Sequence, residues 1–214
     1  MTLFSIRTAL ALCLAASLAA CGGGSDKATF VVGGSATGLA YTGLKLKTGD
    51  QVLAVEPVLV SGTPQTVRYA FPKTIDYGTA YTLTVDASPD KQVCDVYPGF
   101  GTNNENRDSA GHTATIDIAI RCQTKPYALG GAVAGLTGTG LVLINGSVDT
   151  LAVAAGATTF TFTNAVLVDA AYGVSILTQP AGQTCTVRNG TGIMPNAAMI
   201  ATSANAVTVT CVTP

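Results

Sequence analysis

Six cysteines, one histidine and a cluster of oxygen-bearing side chains are the groups in this 214-residue sequence with the most chemical reach. A thiol can form a disulfide, hold a metal, attack a carbonyl or accept a lipid, so the neighbours of Cys13, Cys21, Cys94, Cys122, Cys185 and Cys211 decide which. A Ser-His-Asp or Cys-His relay needs a base, and His112 is the single histidine. It closes the stretch Tyr97–His112 and reads as a surface residue at the start of a strand. The same stretch carries Asn103, Asn104, Glu105, Asn106 and Asp108, whose oxygens are of the kind Ca2+ accepts. Their spacing matches no EF-hand, and a solvated polar loop is the plainer explanation. Tyr97 and Phe100 flank Gly99, which makes this loop a candidate recognition surface on a rigid scaffold. No Gly-x-Ser-x-Gly elbow, phosphate-binding loop or His-Glu-x-x-His helix occurs. The expectation is a chain with no catalytic residue, no metal and no cofactor.

The N-terminus gives one of those cysteines a role. Arg7 is the only charge in residues 1–20, an apolar core follows over Thr8 to Leu18, and small residues lead up to Cys21. Charge, short apolar core and small-residue exit describe a helical secretory signal, too short to persist as a membrane-spanning helix. Leu18-Ala19-Ala20-Cys21 matches a lipobox at all four positions, and the segment resembles the many bacterial lipoproteins that begin Cys-Gly-Gly-Gly. The resemblance implies cleavage between Ala20 and Cys21, a diacylglyceryl thioether on Cys21 and an acyl chain on its new amino group. Several acyl chains give lasting attachment where one gives only marginal binding. An ordinary signal peptide with an incidental cysteine is the rival. Residues 21–27 then form a short flexible tether. Gly22 follows the cysteine where Asp would favour inner-membrane retention, so the outer membrane is the expected address.

Removing residues 1–20 leaves 194 residues, 48% of the whole chain being hydrophobic and only 11% charged, with no Trp. No apolar run past Cys21 reaches the 18 or so residues of a spanning helix. The net charge of −1 and the lack of a Lys/Arg cluster argue against nucleic acid as a partner. Charge is also unevenly spread. Residues 28–126 hold seventeen charged side chains, whereas beyond them stand only Asp149, Asp169 and Arg188. That nearly neutral Thr/Ala/Gly surface suits a protein partner, a neighbouring copy or a glycan.

The chain repeats itself. Val32-Gly33-Gly34-Ser35-Ala36-Thr37-Gly38-Leu39 lies over Leu129-Gly130-Gly131-Ala132-Val133-Ala134-Gly135-Leu136, and Ala80-Tyr81 over Ala171-Tyr172. Gln92-x-Cys94-x-Val96 lies over Gln183-x-Cys185-x-Val187, and each copy ends on an alternating strand with a cysteine, Cys122 or Cys211. An even cysteine number in an exported chain suggests disulfides, and four thiols allow three pairings. The repeat chooses among them, pairing Cys94 with Cys122 and Cys185 with Cys211. Two cysteines per copy, with a histidine in one copy only, fall short of a four-ligand metal site.

Apolar residues alternate within each copy, as in Tyr81, Leu83 and Val85 or Val207, Val209 and Cys211, with Gly, Pro, Asn and Asp between segments. Asn145-Gly146 is a hairpin signal, and Thr48-Gly49-Asp50 holds the same place in the first copy. Strands are expected near residues 28–34, 43–47, 51–55, 65–71, 79–86, 91–97 and 113–122, with the set repeated to 212. The fold class is all-β: two tandem immunoglobulin-like β-sandwich modules of about seven strands each, 28–124 and 125–214, after the helical signal peptide. The short Gln123–Pro126 link limits hinge motion.

The repeat, with its Pro-x-x-Gln-x-Cys-x-Val signature and closing Cys strand, resembles a module found in tandem in proteobacterial lipoproteins and surface proteins. The second copy fits better, while the first departs at Ser88-Pro89-Asp90-Lys91 and in the loop inserted after Val96. The resemblance implies architecture and address but supplies no catalytic residues. The expected function is a lipid-anchored outer-membrane protein, non-enzymatic, that binds, adheres or supports through an unidentified protein or glycan partner. An accessory subunit of an envelope complex facing the periplasm is one rival. A hydrolase is the other, and its missing base counts against it.

Overall fold

The computed structural model describes residues 27–98 and 106–214. Ala20, Cys21, Phe100, Asn103, Asn104 and Glu105 lie outside the described residues, as does nearly all of the tether. No helix occurs among the described residues.

The first module comprises β1 (Thr29–Phe30), β2 (Val32–Thr37), β3 (Leu44–Thr48), β4 (Gln51–Val55), β5 (Leu59–Val60), β6 (Thr63–Pro64), β7 (Val67–Ala70), β8 (Ile75–Asp76), β9 (Ala80–Ala87), β10 (Gln92–Tyr97), β11 (Asn106–Ser109) and β12 (Ile116–Thr124). The second comprises β13 (Pro126–Tyr127), β14 (Gly130–Ala134), β15 (Leu141–Asn145), β16 (Asp149–Val153), β17 (Thr159–Thr161), β18 (Val166–Leu167), β19 (Ala171–Thr178), β20 (Thr184–Arg188), β21 (Thr191–Ile193) and β22 (Val207–Val212). Each module is a β-sandwich of two four-stranded sheets. The orders are β10-β12-β2-β7 with β11-β9-β3-β4, and β17-β14-β22-β20 with β16-β15-β19-β21. The ribbon β1-β8 recurs as β13-β18, whereas the hairpin β5-β6 belongs to the first module alone.

Period-two patterning explains the layers. Leu44 and Leu46 point into the first sandwich while Lys45 and Lys47 point out, and Ile116, Ile118, Ile120 and Cys122 line the facing sheet. Each sandwich has its own apolar core, around Leu39, Leu83 and Ile120 in one and Leu141, Leu143 and Val209 in the other. A fully buried Leu contributes about 1.5–3 kcal/mol, so these layers, with one disulfide each, hold modules of this size together. The disulfides are Cys94–Cys122 (S–S 2.04 Å) and Cys185–Cys211 (1.98 Å), each joining directly paired residues of neighbouring strands.

In both modules the first long strand pairs in parallel with the last, from Ile116↔Val32 to Arg121↔Thr37 and from Val207↔Gly131 to Thr210↔Ala134. The Gly-Gly pairs of the repeat make this approach possible. A Cβ on Gly34 would overlap the carbonyl oxygen of Ile118, and one on Gly131 that of Val207. Tyr69 Oη donates to the same Ile118 oxygen at 2.8 Å, and burial pushes that phenol well above its ordinary value.

The strand directions set a polarity. β2 leaves the end where the chain enters, and β12, parallel to it, delivers the chain to the opposite end, where Lys125 leads into the second module. The second module repeats the arrangement, so the two follow one another end to end with Val212 at the far tip.

Candidate functional site

The Tyr97–His112 stretch is not one loop. Asn106–Ser109 forms β11 on the edge of β9, with Asn106 opposite Leu83 and Ser109 opposite Ala80. Asn-Arg-Asp-Ser lacks apolar alternation because an edge strand is held by its backbone ladder. Asp108 therefore sits on a strand. Its carboxylate accepts the Ser109 N–H at 2.7 Å and faces His112 Nδ1 at 2.6 Å, and the two contacts hold it below the usual carboxylate range. An Asp–His pair is part of a relay, but among the described residues no hydroxyl or thiol bonds the ring, and His112 is exposed in the turn before β12. Tyr97 at the end of β10 is covered by the Arg121 guanidinium, 3.2 Å above its ring centroid. Among the described residues, no group of three His, Cys, Asp or Glu side chains is placed to hold a metal ion.

The junction between modules carries a polar cluster that the sequence patterns did not single out. Asp169 lies in the turn between β18 and β19 with φ 62°. Lys91 Nζ approaches its two oxygens at 3.0 and 2.7 Å, and Tyr41 Oη donates to Oδ2 at 2.9 Å. Tyr41 and Lys91 come from the two loops at the far end of module one. Lys91 and Tyr41 hold the Asp169 carboxyl below its ordinary value, and Asp169 in turn raises Lys91. Loss of hydration, then the bond to Asp169, raises Tyr41. The link itself is fixed on both sides: Lys125 N–H donates to the Lys91 carbonyl at 2.9 Å, and its own carbonyl accepts Val168 N–H at 3.0 Å. The available signal was that Asp169 is one of only three charges after residue 126.

The signature glutamines are buried clamps. Gln92 Oε1 accepts the Ala40 and Tyr41 amides at 2.9 and 3.2 Å while its Nε2 donates to the Gly38 carbonyl at 2.7 Å. Gln183 does the same with Thr137, Gly138 and Gly135 at 2.8, 2.7 and 2.7 Å. Each carboxamide supplies the acceptor and donor that a buried loop backbone would otherwise lack.

Two further surface features stand out among the described residues, an apolar hairpin in module one and a mixed polar and apolar groove in module two. The β5-β6 hairpin, turned by Ser61 and Gly62 at positive φ, exposes Val58, Leu59 and Val60 in succession, at 52%, 47% and 58%. Its Ser61-Gly62 dipeptide is a turn signal in the sequence. In module two, a groove of about 720 Å3 opens between the C-terminal half of β19 and β20, over Val174, Ile176 and Val187. Gln179 closes one end, accepting Cys185 N–H at 2.8 Å and donating to the Cys185 carbonyl at 3.1 Å. The Asn189–Gly190 crossover closes the other, where Val174 N–H donates to the Gly190 carbonyl at 2.6 Å.

No protein-family model matches the chain, and no curated protein matches it in sequence. Among solved structures it is similar to the major pilin protein (T3.2) from Streptococcus pyogenes, at 13% identity and a TM-score of 0.22, over 86% of this chain and 96% of that one.

Proposed function

We propose that this chain is an outer-membrane lipoprotein, anchored through lipid on Cys21, that works as a non-enzymatic binding, adhesion or structural element. In this reading module one is a braced stalk and module two the unit presented to the partner. The end-to-end polarity carries it: the chain enters at one tip, beside the segment that resembles a lipoprotein leader, and the nearly uncharged module lies at the other. The Tyr41–Lys91–Asp169 cluster keeps the two from folding back on each other.

Fractionation of cells making the full chain tests the anchor. The wild type is expected in the outer-membrane fraction, and Cys21→Ala in the soluble fraction. A Cys21→Ala protein that stays membrane-bound overturns the reading. Protease treatment of intact cells, followed with an antibody to module two, then distinguishes a surface role from an accessory role facing the periplasm.

A further inference from the structure

Asparagine followed by glycine occurs twice in the sequence, as Asn145-Gly146 and Asn189-Gly190, and both pairs lie in module two. Such a pair is chemically unstable, because glycine has no side chain to keep its backbone nitrogen from attacking the asparagine Cγ. A folded chain permits the attack only on two conditions. The carboxamide must be able to swing back over its own main chain, and the glycine N–H must be free to lose its proton.

The two pairs differ on both counts. Asn145 ends β15, and Gly173 on the neighbouring strand β19 holds both reacting groups. Gly173 N–H donates to Asn145 Oδ1 at 2.9 Å, and Gly146 N–H donates to the Gly173 carbonyl at 2.9 Å. Carboxamide and nitrogen are each tied to another strand. Asn189 instead stands exposed in the crossover from β20 to β21, in the left-handed region at φ 55°. Its side chain is held by one bond of 3.2 Å, from Nδ2 to the Ala206 carbonyl. Gly190 is anchored through its carbonyl, which accepts Val174 N–H at 2.6 Å, while its own N–H meets no acceptor among the described residues.

We propose that Asn189 is a site of spontaneous deamidation in the folded protein, with water as the only co-reactant, and that Asn145 is protected from it. The Gly190 nitrogen gives up its proton to solvent and bonds to Asn189 Cγ. The Cγ–Nδ2 bond breaks, and the departing nitrogen takes a proton from solvent and leaves as ammonia. Water then opens the cyclic imide at either carbonyl, giving aspartate or isoaspartate with the water oxygen in the new carboxylate. Either product replaces the Nδ2 donor with an acceptor, so the bond to the Ala206 carbonyl is lost. Isoaspartate also lengthens the main chain ahead of Gly190 and displaces the carbonyl that Val174 N–H uses. The new carboxylate stands beside Arg188 in a module whose other charges after residue 126 are Asp149 and Asp169. The crossover thus loosens irreversibly as the molecule ages, while the Asn145 hairpin keeps its form. This depends on neither the lipid nor the cellular address.

Isotope labelling tests it. The full chain is incubated, folded and in denaturant, in mildly alkaline water enriched in the heavy oxygen isotope, then digested with pepsin in acid, where the reaction stalls. Mass spectrometry of the peptides reads which asparagine has taken up the label. In denaturant both sites are expected to convert. In the folded protein Asn189 is expected to take up label first, as a mixture of aspartate and isoaspartate. Each site's rate in denaturant divided by its rate in the folded protein measures its protection. Protection at Asn145 should exceed that at Asn189 by about tenfold or more, because two hydrogen bonds must break there rather than one. Equal or greater protection at Asn189, label at Asn145 first, or a folded protein that takes up label at neither site overturns the proposal.

Discussion

Lys91 Nζ lies 2.7 Å from Asp169 Oδ2, and this ion pair crosses from one sandwich to the other. Half-exposed pairs in water contribute little to stability, and each module keeps its own core. The consequence is therefore one of geometry. Asp169→Asn is expected to leave both melting transitions nearly unchanged while broadening the distribution of inter-module angles seen by small-angle scattering. An unaltered scattering profile would show that the Lys125 backbone bonds alone fix the junction.

The same pair sets a pH window. Asp169 is held below 3.8, so its contribution is present above the unfolded carboxylate value and is lost as pH falls through the lower folded value. Lys91 is raised above 10.5, so its contribution is complete below the unfolded value and is lost as pH rises through the higher folded one. The junction is expected to stay closed across the neutral range and to loosen only in strong acid or strong base. Scattering at a series of pH values checks this, and a transition near neutrality would contradict it.

Gln183→Leu strands two loop amides and one carbonyl, and Gln92→Leu does the same in the first module. A buried polar group left unpaired costs about 1–3 kcal/mol, so each variant should lose several kcal/mol in denaturant titration, confined to its own module. Retention of full stability would mean that water replaces the carboxamide.

Gly131→Ala should prevent module two from closing, because the added methyl meets the Val207 carbonyl across the parallel pair. Gly173→Ala, on β19 with open space around the added carbon, should be nearly neutral. Circular dichroism of the two variants side by side separates the steric effect from any general intolerance of glycine replacement.

Replacing Cys185 and Cys211 together with serine removes a cross-link whose partners are 26 residues apart. The chain-entropy account puts the loss at about 3.5 kcal/mol. Unfolding of module two should move to lower denaturant, with module one unchanged.

The sandwich was legible because its strands obey a period of two and because the chain states its pattern twice. The repeated Gln-x-Cys-x-Val announced a fixed arrangement, though not that Gln92 and Gln183 would turn inward to clamp a loop. β11 was hidden because an edge strand held by backbone needs no apolar pattern, and its Asn-Arg-Asp-Ser reads as loop. The Tyr41–Lys91–Asp169 cluster was hidden for a different reason: its members are 50 and 78 residues apart along the chain, and nothing local records a contact of that range. The apolar hairpin and the groove are differences between the copies, and a repeat directs attention to what the copies share.

The parallel pairing of the first and last long strands decides how these modules respond when pulled. The chain enters β2 at one tip and leaves β12 at the other, so tension along the long axis slides these two strands past each other. Every hydrogen bond of that ladder is loaded at once, and the second module repeats the arrangement with β14 and β22. A pair pulled open from one end breaks bond by bond, whereas this one must give way along its whole length. Each sandwich is thus built to yield abruptly, at high load, when its two tips are drawn apart.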